Sequence, residues 1–324
     1  MIEALLAGFL TSLAVTLIIM PGVIRTMMRH GITGPDMNKP GRPQVAEMGG
    51  VGVLIGFFSG LFVALGWIKF VQPEELADSR LLLASMFAIL GAALVGSLDD
   101  LFDLRQRVKA VLPAFFAIPM GYYMVGEPIN LPWAGAIYLG YWMLLIVPFM
   151  MTAAANAANM LEGFNGLGAG LGIIMSISII IMCAIGGSWQ GVIILLPLLG
   201  ALLAFIYFNY YPAKVFPGDT MMLFMGAALA AGAINGMVKE VAVIIFIPMI
   251  AEFFLKLRGD FRARNHGFPD EKGYLQYSKR VESLTHLVMK SLRVTEPQFV
   301  AVFWTLELII CAAVVAAFAG VIFL

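Results

Sequence analysis

The sequence predicts an all-α polytopic membrane protein, a bundle of about ten transmembrane helices with both termini extracytoplasmic. Three observations lead there. The 324 residues are 61% hydrophobic and 12% charged, against roughly 45–50% apolar and about 25% charged in an ordinary soluble domain. Apolar runs of about 20 residues, the length needed to cross a bilayer as a helix, recur along the whole chain. Lys and Arg are gathered into alternate connections between those runs. A soluble enzyme is excluded, because too little polar surface is left to solvate one. Ten spans of about 20 residues also leave only about 120 for connections and tails, so the chain reads as one membrane-embedded domain.

The runs fall at about 4–24, 50–68, 81–98, 109–125, 131–152, 168–186, 189–208, 217–235, 239–256 and 299–322. Lipid forces the backbone to satisfy its own hydrogen bonds, and runs of this length do so as helices rather than as the shorter alternating strands of a barrel. The first run follows Glu3 instead of a basic segment, and Arg25-Thr26-Met27 replaces small-residue cleavage chemistry, so it reads as a retained span. Cys183 and Cys311, the two cysteines, lie inside apolar runs as small hydrophobes. No low-complexity tract or sequence repeat is visible.

Formal net charge is zero, but placement is the informative quantity. With alternating connections, 17 Lys and Arg fall on one side and three, Lys69, Arg80 and Lys239, on the other. The positive-inside rule makes the rich side cytoplasmic. Five connections on that side, about 25–49, 99–109, 153–168, 209–219 and 257–298, hold nearly all the unusual polar residues. Any chemistry belongs to that face.

Asp99, Asp100 and Asp103 close the third run, followed by Arg105, Arg107 and Lys109. Carboxylates one helical turn apart beside lipid bind a hard cation, accept a proton, or are neutralised by the adjacent bases as an interfacial cap. Asn156 and Asn159 share a helix face, and Glu162-Gly163-Phe164-Asn165-Gly166 follows with glycines that let backbone approach a ligand. Their alternative is a helix–helix interface. Asp219 stands at the start of the eighth run, as a simple cap or, within a set, as a metal ligand. The long connection from Lys256 to Pro297 carries Arg264 and His266 among clustered cations suited to phosphate. His286 reads as an ordinary surface residue, His30 as interfacial, and Lys239 as a distant surface lysine. Carboxylates and amides that can hold a cation, with bases that can hold phosphates at one membrane face, are the parts of a phosphoryl-transfer site. A transporter would place its polar groups nearer mid-membrane.

Four segments then stand in a familiar order: Asp36-Met37-Asn38-Lys39; Asp99-Asp100-Leu101-Phe102-Asp103 with Lys109; Asn156-Ala157-Ala158-Asn159 with Gly163-Phe164-Asn165-Gly166-Leu167; and Phe216-Pro217-Gly218-Asp219-Thr220. From about residue 36 to 270 the chain resembles the polyprenyl-phosphate N-acetylhexosamine-1-phosphate transferases of glycosyltransferase family 4, nearest the archaeal and eukaryotic dolichyl-phosphate branch. The resemblance implies a magnesium enzyme, with manganese as an alternative ion, that moves a HexNAc-1-phosphate from a UDP-sugar to a polyprenyl or dolichyl phosphate and releases UMP. It implies metal ligation by Asn159 and Asp219, a diphosphate contact by Lys109, and essential carboxylates at Asp99 and Asp100. Gly163 and Asn165 would lie by the uracil, with Asn38, Lys39 and Glu47 on the nucleotide-sugar side. Asp36, Asp103, Asn156, Arg264 and His266 complete the candidate binding residues.

Two positions depart from the pattern. Gly267 stands where a basic residue is expected to read the acetamido group, and Glu162 where many bacterial members carry Asp. The expected partners are the UDP-sugar, the lipid phosphate and the bilayer, with no nucleic acid and a homodimer left open. Short loops favour a prokaryotic, archaeal cell membrane over the endoplasmic reticulum. The competing readings are a transporter for a lipid-linked sugar or anion and a non-catalytic membrane scaffold.

Overall fold

The computed structural model describes residues 1–76, 79–131 and 135–322. Among the described residues there are twelve α-helices and three two-stranded hairpins. Helix α1 (Ile2–Arg29) leads through β1 (Thr33–Pro35) and β2 (Gln44–Ala46) to α2 (Gly50–Val71), α3 (Arg80–Phe102) and α4 (Gln106–Tyr123). A second hairpin, β3 (Pro128–Leu131) with β4 (Gly135–Tyr138), precedes α5 (Met143–Leu161), α6 (Leu167–Ile185), α7 (Trp189–Asn209) and α8 (Gly218–Asn235). The chain closes with α9 (Lys239–Ile245), α10 (Ile247–Leu257), β5 (Phe268–Pro269), β6 (Leu275–Gln276), α11 (Leu284–Ser291) and α12 (Glu296–Ile322).

Among the described residues, seven helical segments are long and apolar enough to cross a membrane: α1, α2, α3, 140–161, α6, α7 and α12. Large apolar side chains such as Phe70, Ile18 and Leu145 point outward, exposed by 90, 76 and 64%. An outward apolar coat around a tightly packed interior is what a lipid solvent demands. The protein is therefore a polytopic, mostly helical membrane protein.

Helix α8 is the axis of the bundle, buried at every residue from Thr220 to Asn235. Its sequence there is almost wholly Ala, Gly, Met and Leu, so it has no polar stripe to offer water and other helices enclose it. Small residues set the separations. A Cβ at Gly226 would stand 2.4 Å from the Ala154 carbonyl oxygen of α5, and one at Gly96 of α3 would stand 2.4 Å from the Asp219 carbonyl oxygen. Packing in lipid depends on this close approach, because apolar side chains gain nothing by leaving the acyl chains.

The structure differs from the sequence-based expectation in three places. The fifth helix begins at Met143 rather than near 131, because Pro128, Gly135 and Gly140 favour a hairpin and a turn, with both glycines at positive φ (70° and 52°). It then continues to Leu161, since Ala153 to Ala158 supply the strongest helix former around the two asparagines. The ninth run is divided at Phe246, with Pro248, which lacks a backbone donor, starting α10. The long connection contains α11, capped by Ser283 Oγ, which accepts from Thr285 N at 3.1 Å.

Replacing Gly226 with Ala forces either α5 or α8 to move, since the nearest obstacle is backbone. G226A is expected to cost about 1–3 kcal/mol by overpacking and to lower the melting temperature of the detergent-solubilised protein; an unchanged melt would show that the two helices are not held this closely.

Candidate active site at the motif end of the bundle

The four motifs fold to one end of the bundle. Helix α8 starts there with buried backbone N–H groups that need acceptors. Its N-cap residue is Pro217, which has no capping side chain. Asp100 of α3 serves instead: its Oδ1 accepts from Asp219 N at 2.7 Å, and its Oδ2 from Thr220 N at 2.9 Å and Thr220 Oγ1 at 2.6 Å. Gly218, at φ +68°, has to be glycine, because a Cβ would lie 2.6 Å from Asp100 Oδ2.

Asp219 is thereby fixed beside Asp99 and Lys109. The Lys109 Nζ donates to Asp99 Oδ2 at 2.6 Å and also pairs with Asp219 Oδ2, while the lysine as a whole is 8% exposed. Asp99 Oδ1 takes the Leu104 amide at 2.8 Å and so secures the turn between α3 and α4. One ammonium is thus shared by two neighbouring carboxylates, a pairing that low dielectric makes costly to break from either side.

A cleft of about 380 Å³ opens next to this group. Asn159 at the end of α5 and Asp219 at the start of α8 both line it. So do Asp36, Asn38, Gly163, Asn165, Arg264 and His266. Asp36 is buried, paired with Lys39 and accepting from Asn165 Nδ2 at 3.0 Å; Lys39 also reaches Glu296 Oε2 at 3.1 Å. Asn38 bridges two loops, donating to Gly163 O at 2.7 Å and accepting from Gly267 N at 3.0 Å. Gly166 adopts φ +85° as it enters α6, a conformation open to glycine, and its N–H donates to Asn209 Oδ1 at 3.1 Å.

Glu47, Asp103 and Asn156 do not line this cleft. Glu47 sits against Gly34, where burial, with the nearby Asp100 charge, raises its carboxyl above the usual range. Asp103 is exposed and caps the C-terminal end of α3 in a left-handed conformation, its N–H donating to Asp99 O at 2.9 Å. Asn156 spans to α4, its Nδ2 donating to Ala110 O at 3.2 Å, and lines a separate apolar groove of about 500 Å³.

Two basic residues also differ from their expected surface placement. Lys239 is 2% exposed, pairs with Glu240 at 2.9 Å and donates to Pro128 O at 3.1 Å. His286 is fully buried and stacked on Tyr277 at 3.6 Å; its Nδ1 accepts from Glu282 N and its Nε2 lies 2.8 Å from Arg264 O. Desolvation, as its main cause, holds its pKa below the ordinary imidazole value.

Several contributors carry no local motif. Asn265 Nδ2 donates to Met160 O at 2.7 Å and Glu162 O at 2.6 Å, so the long connection satisfies carbonyls at the C-terminal end of α5. Lys256 joins it on Met160 O. Gly267 is buried, and a Cβ there would meet Met289 Sδ at 2.4 Å, so no basic side chain fits that position without repacking. Glu162 accepts from Gly168 N at 2.8 Å; burial, which outweighs that bond, pushes its carboxyl up to about 7.

The donor set suits a hard cation: an amide oxygen from Asn159 and a carboxylate from Asp219 open on one cleft. Among the described residues no group of three or more His, Cys, Asp or Glu is placed to hold a metal. Two protein oxygens match an ion that completes its shell with water and substrate phosphate, as magnesium does.

The raised carboxyl has a pH consequence. Between the unfolded value near 4.5 and about 7, Glu162 stays protonated only in the fold, so the folded state binds more protons and its stability falls as pH rises through that window. E162Q is expected to flatten the corresponding decline of melting temperature between about pH 5 and 8; an undiminished decline would place its cause at other groups.

Comparison with known proteins identifies a family. Residues 82–237 match the family Glycosyl transferase family 4. A Saccharolobus solfataricus protein provisionally named a UDP-N-acetylglucosamine–dolichyl-phosphate N-acetylglucosaminephosphotransferase is 38% identical over 95% of each chain. A Sulfolobus acidocaldarius protein of the same provisional name is 35% identical over 94% of this chain and 93% of its own. The Schizosaccharomyces pombe enzyme named for that activity is 28% identical over 75% of this chain and 64% of its own. With the motifs assembled at one cleft and two relatives above 30% identity along nearly their full length, the chain belongs to glycosyltransferase family 4.

Proposed function

We propose that this protein transfers GlcNAc-1-phosphate from UDP-GlcNAc to a polyprenyl or dolichyl phosphate, releasing UMP and leaving a polyprenyl-diphospho-GlcNAc. The pairing of two cavities carries the reading: a cleft with Asp36, Asn159 and Asp219 on its wall, beside an apolar groove lined by α5, α8, α9 and α10. A nucleotide-sugar suits the first and an isoprenoid chain the second. The activity for which the relatives are named supports the same pair of substrates.

Asn159 and Asp219 would hold the magnesium ion. When bound, that ion neutralises charge on the diphosphate and on the UMP that departs. Lys109, already between Asp99 and Asp219, is placed to follow that charge with one short movement. Asp100 fixes α8 and with it the direction of Asp219. An oxygen of the lipid phosphate attacks the sugar-proximal phosphorus, a new P–O bond forms, and the bond to the UMP oxygen breaks with its electron pair leaving on UMP. The second pKa of a phosphate monoester is about 6, so the acceptor is largely ionised at neutral pH and no strong base is required of Asp99.

The reading includes ten crossings, with α4, α8 and the divided α9–α10 added to the seven long apolar segments. The unequal Lys and Arg content then puts the cleft on the cytoplasmic side and both termini outside. The roles of Asp36, Asn38 and Asn165 at the nucleotide belong to the same proposal. The relatives and the short connections favour an archaeal cell membrane. The transporter reading lacks a comparable feature, since the cleft lies at an end of the bundle.

Purified protein with UDP-GlcNAc, magnesium and a polyprenyl phosphate is expected to release UMP, and EDTA to stop it. D219A is expected to lose turnover while remaining folded and inserted. K109A should reduce kcat/KM by at least about a hundredfold, on the scale of a lost transition-state charge contact, whereas exposed Lys69→Ala should have little effect. Normal turnover in D219A, or equal effects of the two lysine substitutions, would refute these assignments.

A further inference from the structure

The cleft and the groove meet at the C-terminal end of α5, and one unassigned cation stands at the junction. Met160 lines the groove, and its carbonyl accepts a hydrogen bond from Lys256, which lines the cleft with Asn159 and Asp219. Ala110, the residue after Lys109, lines the same groove. Helix α10 contributes Ile250, Phe253 and Phe254 to the groove wall and then, in its last turn, the Lys256 ammonium. An amphiphile with an apolar tail and an anionic head fits that succession.

The ammonium is only partly neutralised. Glu252 Oε1 is 3.6 Å away, and Oε2 of the same carboxylate is occupied by Ser283 Oγ at 3.0 Å and Leu284 N at 2.7 Å. Lys256 can also leave its present acceptor without orphaning it, because Asn265 Nδ2 still donates to Met160 O at 2.7 Å. A lysine is a compact charge on a flexible stem, suited to swinging onto a phosphate oxygen.

We propose that Lys256 binds the phosphate head group of the isoprenoid acceptor, holding it at the groove mouth while the chain lies along α5 and α10. The assignment rests on the transfer reading above for the identity of the acceptor. Lys256 then attends the attacking phosphate and Lys109, paired with Asp219, the diphosphate under attack. Each like-charged phosphate thus has its own counter-charge as the two approach.

Native mass spectrometry of the full-length protein in detergent, with undecaprenyl phosphate against undecaprenol as probes, tests the contact without turnover. Wild type is expected to retain the phosphate in preference to the alcohol. K256Q should reduce that preference by about tenfold, equivalent to about 1.4 kcal/mol, and K256R should keep it within about twofold of wild type. K256M stands in if K256Q does not insert. In assays, K256Q should raise KM for the lipid phosphate about tenfold while KM for UDP-GlcNAc stays within about twofold. An unchanged preference in folded K256Q, an equal loss in K256R, or a rise confined to the donor KM would overturn the assignment. Selective phosphate retention by wild type without UMP release from any UDP-sugar would instead remove the transfer reading and leave the head-group contact standing.

Discussion

The seating of α8 on Asp100 is the interaction on which the rest of this end of the molecule depends. A helix that begins inside a membrane protein must find acceptors for its first amides, and Pro217 and Gly218 bring none from their side chains. Asp100 reaches across from α3 and takes two of those amides and the Thr220 hydroxyl. Hydrogen bonds to a charged acceptor contribute about 1.5–3 kcal/mol each. The same contact aims Asp219 into the cleft and leaves Asp99, one residue earlier, free to face Lys109. One structural carboxylate thereby sets the place of the carboxylates proposed to do chemistry.

The opposite wall is built by reciprocal satisfaction between loops. The turn after α5 would expose carbonyls at Met160 and Glu162, and Asn265 and Lys256 cover them. Asn265 is itself held, its carbonyl accepting from Thr285 Oγ1 at 3.0 Å, beside a buried His286 stacked on Tyr277. Asn38 ties the first loop to both Gly163 and Gly267. Loops distant in sequence therefore act as one rigid rim, which matters for a site whose substrates must be held in line for displacement at phosphorus.

The sequence made the helices legible because lipid leaves so few alternatives for an apolar run of this length. The order of the motifs likewise pointed to one site, and eight of the candidate residues line one cleft. What stayed hidden was non-local. The segment from Pro128 to Tyr138 is apolar enough to extend the fifth run, yet its glycines and proline turn it into a hairpin. Lys239 and His286 look like surface residues in a linear reading, and only the fold reveals the Pro128 carbonyl and Tyr277 beside them. Asp103 shows the converse. Its spacing from Asp99 suits a continuous helix, but α3 stops at Phe102 and Asp103 is its left-handed cap, exposed. Lys256 and Asn265 bear no motif, because their roles arise from carbonyls on another helix.

On the proposed reading Asn159 and Asp219, brought to one cleft by α5 and α8, grip the divalent ion that carries the nucleotide diphosphate. Anomalous diffraction from crystals grown with manganese and UDP-GlcNAc addresses it most directly. A manganese peak within bonding distance of both the Asn159 amide oxygen and an Asp219 carboxylate oxygen is the expected result. A peak held by other residues, with these two left uncoordinated while the nucleotide is bound, would contradict the claim.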